Sequence, residues 1–415
     1  MRLMTLLRTS SASWAAILLI PWLASYTIRI SQWITAGYWD SVASQSTFLL
    51  GFTIPACAAC AAWEGVRIRR SGILTGVPVR SPLAVALSVL TPVLILGALA
   101  VLLPLVMLLP YTQGAPGGST FTVIALALLL VTAHVFLGYG AGLILPVFLA
   151  APAVLIASWF WMAYPAALEP FWMRQLNGRN LTECCALDQV VDGRAVLAPA
   201  LVAGGLLVAA LAFIRWRHLA VRVLAPVVVA LGVAAGAVVA MPLGHQAGAP
   251  RDASELSCDS GTPVICLWPE QQNEGASIRS LSSMAADRLS KMGVSPARRL
   301  TVSTVRPQEN QILAAVALSA IPSEPPRCAE SGPWPGSAAQ GPLMAWLVQT
   351  AGSDASFVQG SFTSEDISTV TKVRALPEQE QARWFERNVP TLKDCSSQPR
   401  LDPARLSADE HLDAP

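Results

Sequence analysis

The chain has 415 residues, 53% hydrophobic and only 13% charged, against about 25% charged in ordinary soluble domains. Its net charge of +2 is too near zero to point to nucleic acid. Residues 81–168 contain no Asp, Glu, Lys or Arg. That excludes a soluble domain, whose surface must meet water, and fits a bilayer, where a central charge costs roughly 2.5–3.5 kcal/mol on the insertion scale.

A spanning helix needs about 20 mostly apolar residues. Seven segments qualify: 10–28, 47–63, 83–109, 120–137, 147–166, 196–214 and 223–241. Pro21, Pro55, Pro92, Pro104 and Pro152 lie inside them, which membrane helices tolerate because neighbours satisfy the freed carbonyls. The first segment also reads as a signal peptide with a poor cleavage site at Leu23-Ala-Ser25; its length and the interface-type residues Trp14, Trp22 and Tyr26 favour a span.

Orientation follows from the arginines of short loops. Arg2 and Arg8, then Arg67, Arg69, Arg70 and Arg80, then Arg215, Arg217 and Arg222 fall on one side of a seven-span chain. That side is expected to be cytoplasmic, leaving the C-terminal part outside in a multi-pass membrane protein. Six of the eight cysteines (Cys184, Cys185, Cys258, Cys266, Cys328 and Cys395) then fall outside, where an even number suggests disulfides. Spacing does not fix connectivity. The expected pairs are Cys258–Cys266 and Cys328–Cys395, with Cys184 and Cys185 joined to each other or tied elsewhere. A zinc site is the alternative, but His245 and His411 stand at no finger-like spacing. Cys57 and Cys60, on an apolar segment, read as packing residues.

Residues 245–254 read as a Gly/Ala/Pro linker between a membrane domain (1–244) and a C-terminal domain (255–395); residues 396–415 read as a disordered tail. Within the C-terminal domain, residues 262–269 read as a buried strand and 270–292 as a helix ended by Gly293. Residues 299–305 alternate like a strand, 311–318 are an ambiguous apolar run, and 341–350 are helical in pattern. Pro377-Glu-Gln-Glu opens a helix to about Asn388, with Trp384 and Phe385 as buried anchors. The fold class expected is mainly α: a polytopic bundle of about seven spans followed by a small α/β or α+β extracytoplasmic domain.

No G-x-x-x-x-G-K-[ST], H-E-x-x-H or G-x-S-x-G occurs. Glu270 and Asp287 have no special context, and the expectation is a protein that is not an enzyme and carries no cofactor or metal. His134 is the one ionisable group deep in the apolar region. It is expected to be neutral and bonded to a backbone carbonyl, Thr132 or Ser158, rather than a proton relay. Glu64, followed by Arg67, Arg69 and Arg70, ends the second segment and leads into a basic amphipathic stretch, 68–82, with Ile73, Leu74, Val77 and Val79 as its apolar side. It reads either as a snorkelling helix end or as a docking loop.

Ala61-Ala-Trp-Glu-Gly-Val-Arg-Ile-Arg-Arg-Ser-Gly72, followed by a long apolar span, resembles the second-span exit of bacterial ABC-2-type exporter permeases. Gly138-Tyr-Gly-Ala-Gly142, with Leu143 and Pro146, resembles the Gly-rich turn between their fourth and fifth spans. The outer part, with Val264-Ile-Cys-Leu-Trp-Pro-Glu270 and Leu376-Pro-Glu-Gln-Glu-Gln-Ala-Arg-Trp384, resembles an actinobacterial family of permease-like proteins. The resemblance implies a membrane subunit or companion of an ABC-type exporter; a homo- or hetero-dimer is a separate expectation. A separate cytoplasmic ATPase would dock near Glu64, Arg67, Arg69 and Arg70. The seventh span and the outer domain depart from simple permeases. The alternative is a membrane-anchored extracytoplasmic sensor or cell-envelope binding protein.

Overall fold

The computed structural model describes residues 10–73, 81–216, 219–244, 247–330 and 332–403. Arg2, Arg8, Leu74, Val77, Val79, Arg80, Arg217, His245, His411 and the last part of the expected tail, 404–415, lie outside the described residues, as does the side chain of Arg222. The chain divides into two units, Met1–Arg251 and Asp252–Pro415.

The first unit is helical. Helix α1 (Ser11–Ile30) is capped by Ser10, whose hydroxyl accepts from the Ala12 N–H at 3.2 Å. Helix α2 (Trp39–Ser46) runs through a 3-10 turn into α3 (Leu50–Arg70). Then come α4 (Pro82–Met107), α5 (Gly118–Gly142), α6 (Val147–Ala163), α7 (Gly193–Arg215) and α8 (Leu219–Ala240). Seven helical stretches among the described residues are long and apolar enough to cross a membrane, with α2 and α3 together forming the second. Helix α4 starts as its sequence dictates, with Ser81 as N-cap and Pro82 at the first turn. Large apolar side chains point outward along the bundle; Trp14 is 74%, Leu18 77% and Phe148 77% exposed. A surface so apolar is suited to acyl chains rather than to water.

Helix α3 is the hub, lying against α1, α4, α5 and α6. Small residues allow this. A Cβ on Gly138 would strike the Ala58 carbonyl, one on Gly142 the Ala62 carbonyl, and one on Gly65 the Tyr139 carbonyl. Glycine spaced by four on α5 therefore meets alanine spaced by four on α3, and backbone rests on backbone, the close approach that small residues allow between apolar helices. This corrects the expected Gly-rich turn: Gly138-Tyr-Gly-Ala-Gly142 ends helix α5, and the turn is confined to residues 143–146. Helices α7 and α8 use the same device, with Gly205 against Gly232 and Gly236 against the Ala198 carbonyl.

The expected linker is also corrected in part. Strand β2 (Gly248–Pro250) pairs antiparallel with β1 (Gln189–Val191), so these residues belong to the first unit. Its backbone groups find ladder partners that a free linker would have left to water.

In the second unit, β3 (Ser257–Cys258), β4 (Val264–Leu267) and β5 (Arg299–Thr301) form one sheet. Strand β3 pairs antiparallel with β4, and β4 parallel with β5 through the crossover helix α9 (Gly275–Lys291). Gly293 follows α9 at φ 73°, a left-handed position that suits glycine. Helices α10 (Glu309–Leu318), α11 (Ser337–Ala351), α12 (Ala355–Ser361), α13 (Ser364–Arg374) and α14 (Glu378–Asn388) complete it. Trp346 and Trp384 are fully buried, and Trp346 stacks on Phe385 at 5.0 Å. Each indole N–H has an acceptor, Gln381 Oε1 for Trp346 and the Leu401 carbonyl for Trp384, both at 3.1 Å. Residues 396–403, expected to be disordered, lie along α14 instead. The Arg400 N–H donates to Asn388 Oδ1 at 2.7 Å, and Leu401 packs on the core.

Candidate functional site

Helical spacing in α3 turns Ala61, Ala62, Glu64, Gly65 and Ile68 toward neighbouring helices, and Trp63, Arg67 and Arg70 outward. Glu64 is 2% exposed. Its Oε1 accepts from the Ser11 N–H and the Ser11 hydroxyl, both at 2.9 Å, with the Ser10 hydroxyl at 3.5 Å. Its Oε2 meets Arg67 Nη1 at 2.8 Å, and the Arg67 side chain is 46% exposed. Glu64 is thus an anion at the positive end of α1, satisfying an N–H that the helix cannot satisfy itself. Among the four residues expected at a docking loop, Glu64 is turned inward, Arg69 is half-buried, and Arg67 and Arg70 present their charge at the surface. The four are brought together on the last two turns of one helix, tied to the start of α1.

The other end of the bundle holds a second polar knot. Residues 35–47 are stitched to the segment after α6. Thr35 Oγ1 donates to the Cys185 carbonyl at 3.1 Å, Ser44 Oγ to the Cys184 carbonyl at 2.8 Å, and Gln45 Nε2 to the Thr182 carbonyl at 2.7 Å. Tyr38 donates to the Gln189 carbonyl at 2.7 Å. Asp40 is 4% exposed and accepts from Ser119 Oγ and Thr120 Oγ1, both at 2.6 Å, at the first turn of α5. That carboxylate closes a helix start whose Gly117 has no side chain to cap it. The sequence reading passed over Asp40; its signal was an acid beside an apolar run with Ser and Thr at the start of another.

His134 donates from Nδ1 to the Leu130 carbonyl at 2.8 Å, one turn back on its own helix. The carbonyl can only accept, which places the proton on Nδ1. Thr132 bonds elsewhere, to the Leu128 carbonyl. Cys57 and Cys60 are free thiols; Cys57 packs near Gly97. The structure pairs Cys184 with Cys185, Cys258 with Cys266 across the β3–β4 register, and Cys328 with Cys395. Asp287 is exposed and Glu270 half-buried. Among the described residues no group of three or more His, Cys, Asp or Glu side chains stands where it would hold a metal ion.

The arrangement thus offers an outward basic helix end on a rigid support and a stitched cap at the opposite end. No curated protein and no solved structure matches the chain. Residues 265–395, all within the second unit, match a family described as a domain of unknown function, DUF7224.

Proposed function

We propose that the chain is a permease-like membrane subunit, or companion, of an ABC-type exporter whose ATP is hydrolysed by a separate cytoplasmic protein. The observation that supports the reading most is the end of α3. Arg67 and Arg70 are presented outward there, while Glu64 locks the same turn to the start of α1. A force applied by a partner at those arginines would pass into two helices at once, rather than into a loose loop. The arginine distribution supports an N-terminus inside and the second unit outside. The pairing of all six cysteines assigned to the outside agrees with an oxidising compartment.

The test is charge reversal, Arg67→Glu with Arg69→Glu and Arg70→Glu, in the full chain in native membranes. The expected result is loss of ATPase association with normal insertion, checked by reporter fusions because positive-inside charge also sets topology. Unchanged association would remove the docking role.

A second reading, a membrane-anchored extracytoplasmic binding protein, is favoured by the second unit itself. It has its own core around Trp346 and Trp384 and two disulfides. That reading predicts binding of an envelope component without a stoichiometric ATPase.

A further inference from the structure

Between the start of α3 and the segment that follows α6 lies a cleft of about 190 Å³. A single water needs about 10–15 Å³ on this scale, so the cleft has room for a larger polar group. Its walls include Phe48 and Met162 on the apolar side and Arg174, Asn177, Arg179 and Glu183 on the polar side. Two guanidiniums therefore face one carboxylate, and Glu183 is exposed.

Both arginines are held from behind. Arg174 is 8% exposed; its Nη2 donates to the Ala166 carbonyl at 3.0 Å and its guanidinium lies over the Phe171 ring at 5.0 Å. Arg179 lies over the Phe48 ring at 4.6 Å, and its Nη1 reaches the Met162 carbonyl only at 3.5 Å. Its Nε is buried without an acceptor, and no carboxylate among the described residues pairs with it. Burial pulls the Arg179 pKa below its ordinary value, because removal from water disfavours the charged form. The cleft floor is rigid: Asn177, 2% exposed, donates to the Trp161 and Met162 carbonyls at 3.0 and 3.1 Å and accepts from the Arg179 N–H at 3.0 Å. Exposed Trp159, Phe160, Tyr164 and Phe171 sit at the same end of α6, as aromatic residues do at the headgroup level of a bilayer.

We propose that this cleft is a binding site for a phosphate-type oxyanion, taken from a lipid headgroup or as free phosphate. Guanidinium forks match such an anion in two-pronged fashion, and the partly exposed Arg179, with no carboxylate partner, leaves that position to a ligand. Phe48 and Met162 suit the apolar stem of a lipid. The inference rests on the helices crossing a bilayer and is independent of any ATPase.

Two arms test it on the full chain. In the first, the protein is released from nanodiscs of equal phosphatidylglycerol and phosphatidylcholine, and retained lipid is counted by native mass spectrometry. In the second, inorganic phosphate is titrated calorimetrically into protein held in phosphatidylcholine discs. Preferential retention of phosphatidylglycerol assigns a lipid source, and heat from phosphate assigns the free anion. In either arm, Arg179→Gln is expected to weaken the interaction by about tenfold, the loss of one charge-assisted contact. Glu183→Gln, an exposed position that leaves folding intact, is expected to strengthen it by removing the competing charge. Absence of both lipid preference and phosphate binding overturns the proposal. So does binding that Glu183→Gln leaves unchanged, whatever the fate of the arginine variant.

Discussion

Replacing Glu64 separates a residue that holds two helices together from one that touches a partner. Its carboxylate makes two 2.9 Å bonds to Ser11 from a position only 2% exposed to solvent. Bonds to a charged acceptor contribute about 1.5–3 kcal/mol each, and the carboxylate interacts favourably with the positive end of α1 as well. Glu64→Ala is therefore expected to cost about 3–5 kcal/mol, because the partly buried Ser11 N–H and hydroxyl both lose their acceptor. Glu64→Gln keeps an amide oxygen as acceptor and loses the charge, so about 1–2 kcal/mol is expected. Arg67→Ala removes a partner that is 46% exposed, worth less than about 1 kcal/mol after screening. The assay is the midpoint of reversible unfolding in mixed detergent micelles, read by tryptophan fluorescence, for the full chain and each variant. The order Ala, then Gln, then the arginine variant is the signature of a helix-locking carboxylate. A Glu64→Ala protein as stable as the parent but unable to recruit its partner would refute the reasoning and return Glu64 to the docking surface.

Gly142→Leu must push α5 off the Ala62 carbonyl; a loss of about 1–3 kcal/mol or more, with lower yield of folded protein, is expected by the same assay. Gly193, with open space around it, should accept alanine with little change. Breaking Cys328–Cys395 as a serine pair opens a link across 67 residues, for which chain entropy gives about 4 kcal/mol; the Cys258–Cys266 link, eight residues long, gives about 2.5 kcal/mol. Denaturant midpoints of residues 252–403 secreted into an oxidising compartment check the order of the two. Asp394 receives hydrogen bonds first from the Ser397 N–H and hydroxyl and then from Ser396, which hold its carboxyl below the ordinary aspartate range. Its stabilising contribution is therefore present above the unfolded aspartate pKa and is lost as pH falls through the lower folded value. Carbon-detected NMR titration of that fragment should find the depression and see it relax in Ser397→Ala; a carboxyl titrating at the unfolded value would count against it.

The first unit was legible because long apolar runs of about 20 residues follow a strong rule. Every segment of about 20 apolar residues became a helix; some ends run further, as at Gly118 and Gly142, and others give way to 3-10 turns, as at residues 47–49 and 164–167. The glycine motif shows the limit of that reading. Gly138 and Gly142 suggest a turn when read alone; the small residues they meet, Ala58 and Ala62, lie 80 residues away and on another helix. Strand β2 was hidden for the same reason, since its partner is residues 189–191. Asp40 and Glu64 each close the start of a different helix, a relation fixed by packing rather than spacing. In the second unit the amphipathic helices announced themselves, whereas α12 and α13 have few apolar residues and short runs. The basic end of α3 was visible in the order Glu64, Arg67, Arg69, Arg70; which of these faces outward was not.

The most direct test of the proposed role is a tagged pull-down of the full chain from native membranes in mild detergent, with partners identified and counted. An ATPase recovered near one-to-one is the result expected of an exporter subunit. Recovery of an envelope protein with no ATPase would contradict that role and make the disulfide-linked second unit the working part of the protein.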